Sequence, residues 1–343
     1  MPPSNALPLT FPSARQPDLT PAQRQLAMAS SSRVPWPAIN EVYTFTSKKY
    51  IPIALAGTGV HATVYLCLPS AFQTSTSLPH QLVAVKIPEP DYADRAKREV
   101  PALMRVGSAA GKLTHHFPDF LEVIRIDESD SNSDPRYLTI TAIHGASLSQ
   151  FSAACDPSRH PEELVLHVYL QLASLIQVLQ TMWPAIAHGD LHPGNLMLDQ
   201  SRQDVPGFPN VVLIDFSCVD RDPRPDILRH EIRGLCKLVR DLATQGRECY
   251  PESHFGKVTG CDCETWWVQW IRWLNGRWMG GDLGISDSDA EVLKEAERRR
   301  NEATVETKEN IKLSMERAMG KIKGLTEPEI REALVEGGYL PSD

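Results

Sequence analysis

A chain of 343 residues with 35 basic and 43 acidic side chains, net charge −8, can bury a large core but lacks the positive surface that holds nucleic acid or an anionic membrane. No apolar run reads as long enough for a membrane span, and the N-terminus carries no uninterrupted hydrophobic signal core. Seven scattered cysteines, an odd number, suit a reduced intracellular protein better than a disulfide scaffold.

Residues 1–40 are rich in Pro, Ser and Ala and read as a flexible leader. Arg15, Arg24 and Arg33 against the single acid Asp18 leave an organelle transit peptide open, but repeated prolines oppose the amphipathic helix it needs, so the expected location is cytoplasmic. Next, Leu55-Ala-Gly57-Thr-Gly59-Val-His-Ala62-Thr-Val64 is a glycine turn between two strand-like segments, where backbone at Gly57 and Gly59 can approach phosphates. Leu82-Val-Ala-Val-Lys86-Ile87 then sets a lysine in an apolar strand; a buried ammonium needs a partner, and a phosphate is one. Glu99 is the candidate carboxylate to pair with Lys86, although Pro101, two residues on, predicts that Glu99 lies near a helix start or kink. Asp127–Pro135 is a polar turn between strands, without the ligand spacing or closing glutamate of a calcium loop.

From Pro161 onward, Leu164, Val168, Leu172, Leu175, Ile176 and Leu179 keep a helical period, with acids in the first turn suiting the helix dipole. His188-Gly-Asp190-Leu-His192-Pro-Gly-Asn195 follows, and Ile214-Asp215-Phe216-Ser217 comes twenty residues after Asn195. This pattern points to phosphoryl transfer: Asp190 can hold and polarise an acceptor hydroxyl, while Asn195 and Asp215 are hard oxygen ligands for Mg2+ bridging the phosphates of ATP. Asn195–Leu198 and Val211–Ile214 read as two strands of a hairpin that would bring both loops together. Glu231–Leu242 has helical spacing, and Glu231 at its acidic start is a candidate to hold the catalytic loop from below, with Asp226 as rival.

Toward the C-terminus, Cys249, His254, Cys261 and Cys263 fall within fifteen residues and are either a zinc half-site or surface-loop residues of an insertion. Trp266, Trp270 and Trp273 share a helical face, with Trp278 beyond; they read as a docked helix or as an aromatic site for an amine substrate. Ser288 opens one long helical pattern to about Met319 without a sustained heptad, and Thr326 begins a short last helix closed by Gly337-Gly338.

In order and spacing these elements, over about residues 50–242, resemble the protein-kinase-like superfamily. The resemblance implies an α+β, two-lobed fold: a small β-rich N-lobe at 41–145 and a larger, mostly helical C-lobe with a helical extension at 146–343. It also implies roles, with Asp190 the catalytic aspartate, Asn195 and Asp215 on the metal, and Lys86, paired with Glu99, on the α- and β-phosphates. Gly57, Gly59 and Val64 would frame the nucleotide, His188 would support the loop, and Tyr137–Ile143 would be the fifth strand, its hinge near Ala142 and Ile143 pairing with adenine. His-Gly-Asp-Leu-His-Pro-Gly-Asn is closest to the aminoglycoside phosphotransferase and choline kinase branch, since protein kinases have arginine at the Gly189 position and lysine at the His192 position. The interval from Ser217 to Glu231 is too short for the platform on which protein kinases lay a peptide. ATP and Mg2+ are thus the expected cofactors and a hydroxyl-bearing small molecule the expected partner. An atypical protein serine/threonine kinase stays open, and so does an ATP-binding pseudokinase scaffold, because Ala62 and Ser217 replace family glycines and Pro101 follows Glu99.

Overall fold

The computed structural model describes residues 38–127, 133–155, 160–244, 266–280, 287–322 and 326–341. The leader, except its last three residues, and the Cys249, His254, Cys261 and Cys263 group lie outside these.

Strands β1 (Tyr50–Thr58) and β2 (Ala62–Pro69) form an antiparallel hairpin whose tip holds Gly59. β3 (Val83–Pro88) joins β2 with Lys86 opposite Val64. Its near-continuous run of buried residues fits a strand covered on both faces. Helix α1 (Ala93–Ala109) connects it to β4 (Phe120–Arg125), and β5 (Pro135–Thr141) inserts between β3 and β4, giving the order β1-β2-β3-β5-β4.

The chain then becomes mostly helical. β6 (Gly145–Ser147) leads into α2 (Leu148–Ala154), where Ser147 accepts from the Gln150 N–H and Gln150 returns a bond to the Ser147 N–H, a reciprocal cap. α3 (Glu162–Thr181) buries Leu164, Val168, Leu172, Leu175, Ile176 and Leu179 as its periodicity predicts. By length and composition α3 could cross a membrane, with a mean hydropathy of 1.4, which corrects the expectation that no segment is so built. Here 61 % of that stretch is buried inside the protein, so its apolarity is used as the core helix. β7 (Ile186–Ala187) precedes β8 (Leu196–Asp199) and β9 (Asn210–Leu213), which form the expected hairpin with Leu196 opposite Leu213. β10 (Asp220–Arg221) pairs back on β7. Among the described residues five helices follow: α4 (Pro225–Thr244), α5 (Trp266–Gly280), α6 (Asp287–Asn301), α7 (Val305–Met319) and α8 (Glu327–Glu336).

The molecule is therefore α+β, β-rich toward the N-terminus and helical toward the C-terminus. Two departures from the sequence reading have local causes. The long pattern from Ser288 to Met319 is two helices, because Thr304 takes an extended backbone and its hydroxyl accepts from the Thr307 N–H at 3.0 Å, capping a new helix. α8 returns to the sheet, where Ile330 and Leu334 join Ile51, Leu66 and Leu68 in one apolar cluster and Glu327 accepts from the Leu78 N–H at 2.9 Å.

Candidate active site

Lys86 is 7 % exposed, and its ammonium donates to Glu99 Oε1 at 2.9 Å, to Glu99 Oε2 at 2.8 Å and to Asp215 Oδ1 at 2.7 Å. Burial alone would discharge this lysine, but the two carboxylates outweigh that and hold it above its ordinary value. Asp215, also opposed by burial, is held well below the usual carboxylate range by the Lys86 charge. Burial pushes Glu99 up against the pull of Lys86. Pro101 does not place Glu99 at a helix start: Glu99 lies within the 17-residue α1, and the helix continues through Pro101. A proline inside a helix costs about 3 kcal/mol. Here the buried face of Ala96, Val100, Ala102, Leu103 and Val106, together with the Lys86–Glu99 pair, offsets that loss.

Between β7 and β8 the His188–Asn195 segment is fixed from two sides. His188 is fully buried; its Nε2 donates to the Ile214 carbonyl at 2.9 Å, and its Nδ1 accepts from the Asp190 N–H at 3.3 Å. That assigns the neutral tautomer protonated at Nε2, and burial lowers the pKa accordingly. His188 is thus a support, as its position implied. From below, Glu231 Oε1 accepts from the N–H groups of His188 and Gly189, and burial raises its pKa to about 7 despite those bonds. Asp226 is exposed and pairs with Arg224, so Glu231 is the anchor; it lies inside α4, which begins at Pro225 rather than at Glu231 as the sequence suggested. Gly189 has φ +80, and a Cβ there would stand 2.5 Å from the Cys218 carbonyl oxygen. Glycine is demanded twice, by backbone sign and by close approach.

Asn195 Nδ2 donates to the Asp190 carbonyl at 2.9 Å and lies 3.4 Å from Asp190 Oδ2. The Ile214 N–H donates to the Asn195 carbonyl at 3.0 Å, so the hairpin sets Asn195 beside Asp215. Asp215 is left-handed, φ 64 and ψ 74, a conformation that aspartate tolerates through local bonding; here Oδ1 accepts from the Ser217 N–H at 3.2 Å. The Asp190 side chain is 41 % exposed and faces His192, whose Nε2 is 3.8 Å from Asp190 Oδ2.

At the glycine turn, neither Gly57 nor Gly59 has positive φ; a Cβ at Gly57 meets open space, and one at Gly59 only ordinary contact with the Ala62 carbonyl. Neither backbone sign nor close packing therefore demands these glycines. Val64 sits across β2 and β3 from Lys86. Ala62 and Ser217 also avoid positive φ. Ala142 and Ile143 do follow the fifth strand, but the Ala142 N–H donates to the Leu82 carbonyl at 3.4 Å and the Ile143 carbonyl accepts from Gly145 at 3.0 Å, so both already have internal partners.

The aromatic-site reading of the tryptophans is not supported. Trp270 is 1 % exposed and packs edge-on against Tyr169 of α3, ring centroids 5.6 Å apart, with Trp267 stacked at 5.0 Å. Trp273 meets the same tyrosine at 5.9 Å, so the cluster docks α5 on the core. One contact escaped sequence reasoning altogether: Arg95 of α1 donates to Cys218 Sγ at 3.0 Å, tying the helix of Glu99 to the segment after Asp215, and no spacing signals it.

No family model matches this chain, and no curated protein matches it. Among solved structures it is similar to the kinase domain of PknI from Mycobacterium tuberculosis, at 17 % identity over 74 % of this chain and 96 % of that one, with a TM-score of 0.47. A likeness of that size assigns no activity.

Proposed function

We propose that this chain is an ATP- and Mg2+-dependent kinase that transfers a phosphoryl group to a hydroxyl of a small molecule. The observation that carries the proposal is the buried Lys86 ammonium bridging Glu99 and Asp215 beside the Asp190–Asn195 loop. A buried lysine with two carboxylates within 3 Å is an expensive arrangement for stability alone. Such perturbed charges cluster where chemistry is done.

The residues fit the cofactors. Asp215 Oδ1 is taken by Lys86 and the Ser217 N–H, so a cation would meet Oδ2, while Asn195 turns its amide nitrogen to Asp190 and its oxygen the other way. Both are hard oxygen donors of the kind Mg2+ prefers. Open space at Gly57 suits a polyphosphate. When bound, ATP supplies the phosphoryl group and Mg2+ neutralises charge on its phosphates. Lys86, steered by Glu99, holds the phosphates; Asp190 orients the acceptor hydroxyl and takes its proton at the carboxylate. Asn195 fixes the Asp190 loop, and Glu231 and His188 keep that loop from yielding.

Two observations support a small acceptor, the preference of the aminoglycoside phosphotransferase and choline kinase branch. Asp215 and the first residue of α4, Pro225, are ten positions apart, and β10 within that interval is paired to β7, leaving little chain for a peptide platform. A cavity of about 420 Å3 lies against Leu191, His192 and Pro193, with Ser149, Ser152, Lys237 and Asp241 on its walls, a size suited to a small ligand.

The test is Mg2+-dependent ATP consumption by the purified chain and its Asp190→Ala variant, with amino alcohols, aminoglycosides, sugars and a generic basic protein as acceptors. Turnover stimulated by one small-molecule class and cut at least about 10³-fold in the variant, with ATP affinity retained, is expected. Phosphate appearing on protein would replace the proposal with a protein kinase; ATP binding without turnover would replace it with a pseudokinase.

A further inference from the structure

Outside the candidate active site, three side chains from two distant stretches of the chain converge. Gly111–His116, a short turn of helix after α1, presents His115 and His116, and the loop between β8 and β9 presents Asp204. His115 Nε2 lies 3.0 Å from both oxygens of Asp204, and His116 Nε2 lies 2.8 Å from Oδ2. One ligand atom from each falls within 4.8 Å of the others.

The donors and acceptors do not balance in the simplest protonation state. His116 is 1 % exposed, and its Nδ1 lies 2.8 Å from the Val211 carbonyl, which can only accept, so Nδ1 carries the proton. In a neutral imidazole Nε2 is then a bare lone pair, and it faces a carboxylate oxygen, itself an acceptor. An electrophile must sit between them: a second proton, making a buried imidazolium, or a metal ion. The groups hydrogen-bonded behind His116 and Asp204 favour the metal. A ligating histidine that donates its other N–H to a backbone carbonyl is the usual arrangement, and the carboxylate is similarly held: Asn210 Nδ2 lies 3.3 Å from Asp204 Oδ1, while the Asp204 N–H donates to Asn210 Oδ1 at 2.9 Å.

We propose that His115, His116 and Asp204 form a site for a divalent transition metal of the zinc class. Two imidazoles and one carboxylate are a donor set that zinc accepts, leaving a fourth position for water. His116 and Asp204 also line a cleft of about 840 Å3 whose mostly apolar walls include Gln171, Gln177 and Arg300, so the site adjoins open space that could admit water. Bonds of about 2.0–2.1 Å in a tetrahedron put ligand atoms about 3.3 Å apart, so each histidine–carboxylate pair, at 2.8–3.0 Å, need open by only a few tenths of an ångström. The metal would staple the end of the helix carrying Glu99 to the far end of the hairpin whose near end carries Asn195 and leads to Asp215.

The test uses the full chain, stripped with chelator and titrated with Co2+ as a spectroscopic stand-in and with Zn2+ by competition. Expected are a Co2+ spectrum of low-symmetry nitrogen and oxygen ligation without thiolate charge transfer, and a Zn2+-dependent rise in melting temperature. His115→Ala and Asp204→Asn should each weaken binding about 100-fold or more, while Asp215→Asn leaves it unchanged. Asp204→Asn also tests the alternative, because an amide can donate to the bare Nε2 and keep the metal-free protein folded. Thiolate charge transfer, binding lost with Asp215→Asn instead, or no effect of Zn2+ together with destabilisation by Asp204→Asn, would each overturn the proposal; the last would leave a buried ion pair. None of these outcomes depends on phosphoryl transfer.

Discussion

Replacing Lys86 by methionine keeps the volume of the side chain and removes the one charge that neutralises Glu99 and Asp215. Glu99 is 2 % exposed and would be left as an uncompensated buried carboxylate; breaking such a pair costs about 3–5 kcal/mol. The Asp215 side chain, at 32 % exposure, is partly screened and adds less. A loss of about 3 kcal/mol is a large share of the 5–15 kcal/mol that domains have, and with a urea slope of about 2 kcal/mol/M it lowers the midpoint by about 1.5 M. Urea unfolding followed by tryptophan fluorescence would read this.

The pH dependence sharpens the test. Asp215 is held below its ordinary value in the folded protein, so its stabilising contribution is fully present above the unfolded carboxylate range, near pH 4, and fades as pH falls through the folded value. In Lys86→Met that contribution is gone, and both carboxyls take up protons more readily than in the unfolded chain, so the variant gains relative stability on acidification. The gap between the two proteins is therefore widest near neutrality and closes below about pH 5. Lys86→Met with Glu99→Gln, which leaves no unpaired buried charge at that position, should recover much of the loss. A Lys86→Met protein within about 0.5 kcal/mol of the parent at neutral pH, or a gap that widens with acid, would refute the account.

Glu231→Gln keeps an acceptor for the His188 and Gly189 N–H groups but cannot ionise. Because the folded carboxyl titrates at about 7, above its unfolded value, the parent should lose stability relative to this variant as pH rises from about 4.5 to 7, by about 3 kcal/mol at most, read from denaturation at several pH values. Gly189→Ala meets both a positive φ and the Cys218 carbonyl at 2.5 Å, so it should destabilise by about 2 kcal/mol or more and depress turnover, whereas Gly57→Ala should leave stability nearly unchanged. Trp270→Ala empties a fully buried site and should cost about 3–5 kcal/mol in thermal or urea unfolding, without a selective rise in the Michaelis constant for any acceptor.

Which parts of this site were legible depends on how far each residue's reason for being there is local. Lys86 stood out because a lysine inside Leu82–Ile87 contradicts its apolar neighbours, and the contradiction needs a ligand or a partner; the structure supplies Glu99 and Asp215. The meeting of Asn195 and Asp215 followed from two short apolar runs of matching length, which pair as β8 and β9. Pro101 does not end α1 because local propensity is a weak constraint beside a buried apolar face and an ion pair along the helix. The break at Thr304 was equally local, but a threonine among charged helix formers gives little warning of a cap.

Other features had no local signature at all. Gly189 reads in sequence as a missing arginine, yet its physical demand is set by the Cys218 carbonyl, which reaches it only after β10 pairs with β7. His115 and His116 are two ordinary histidines after a helix, and Asp204 is one acid in a polar loop 88 positions beyond His116. They become a constellation only because the Val211 carbonyl fixes which nitrogen of His116 is free, and because β8 and β9 place the loop between them against the end of α1. The same hairpin therefore serves two ends: one end presents the groups proposed for phosphoryl transfer, and the other presents a carboxylate to two histidines. A metal bound at the second would restrain the first through a four-residue strand on each side, which is short enough that positional changes of a few tenths of an ångström at Asp204 need not be absorbed before Asn195.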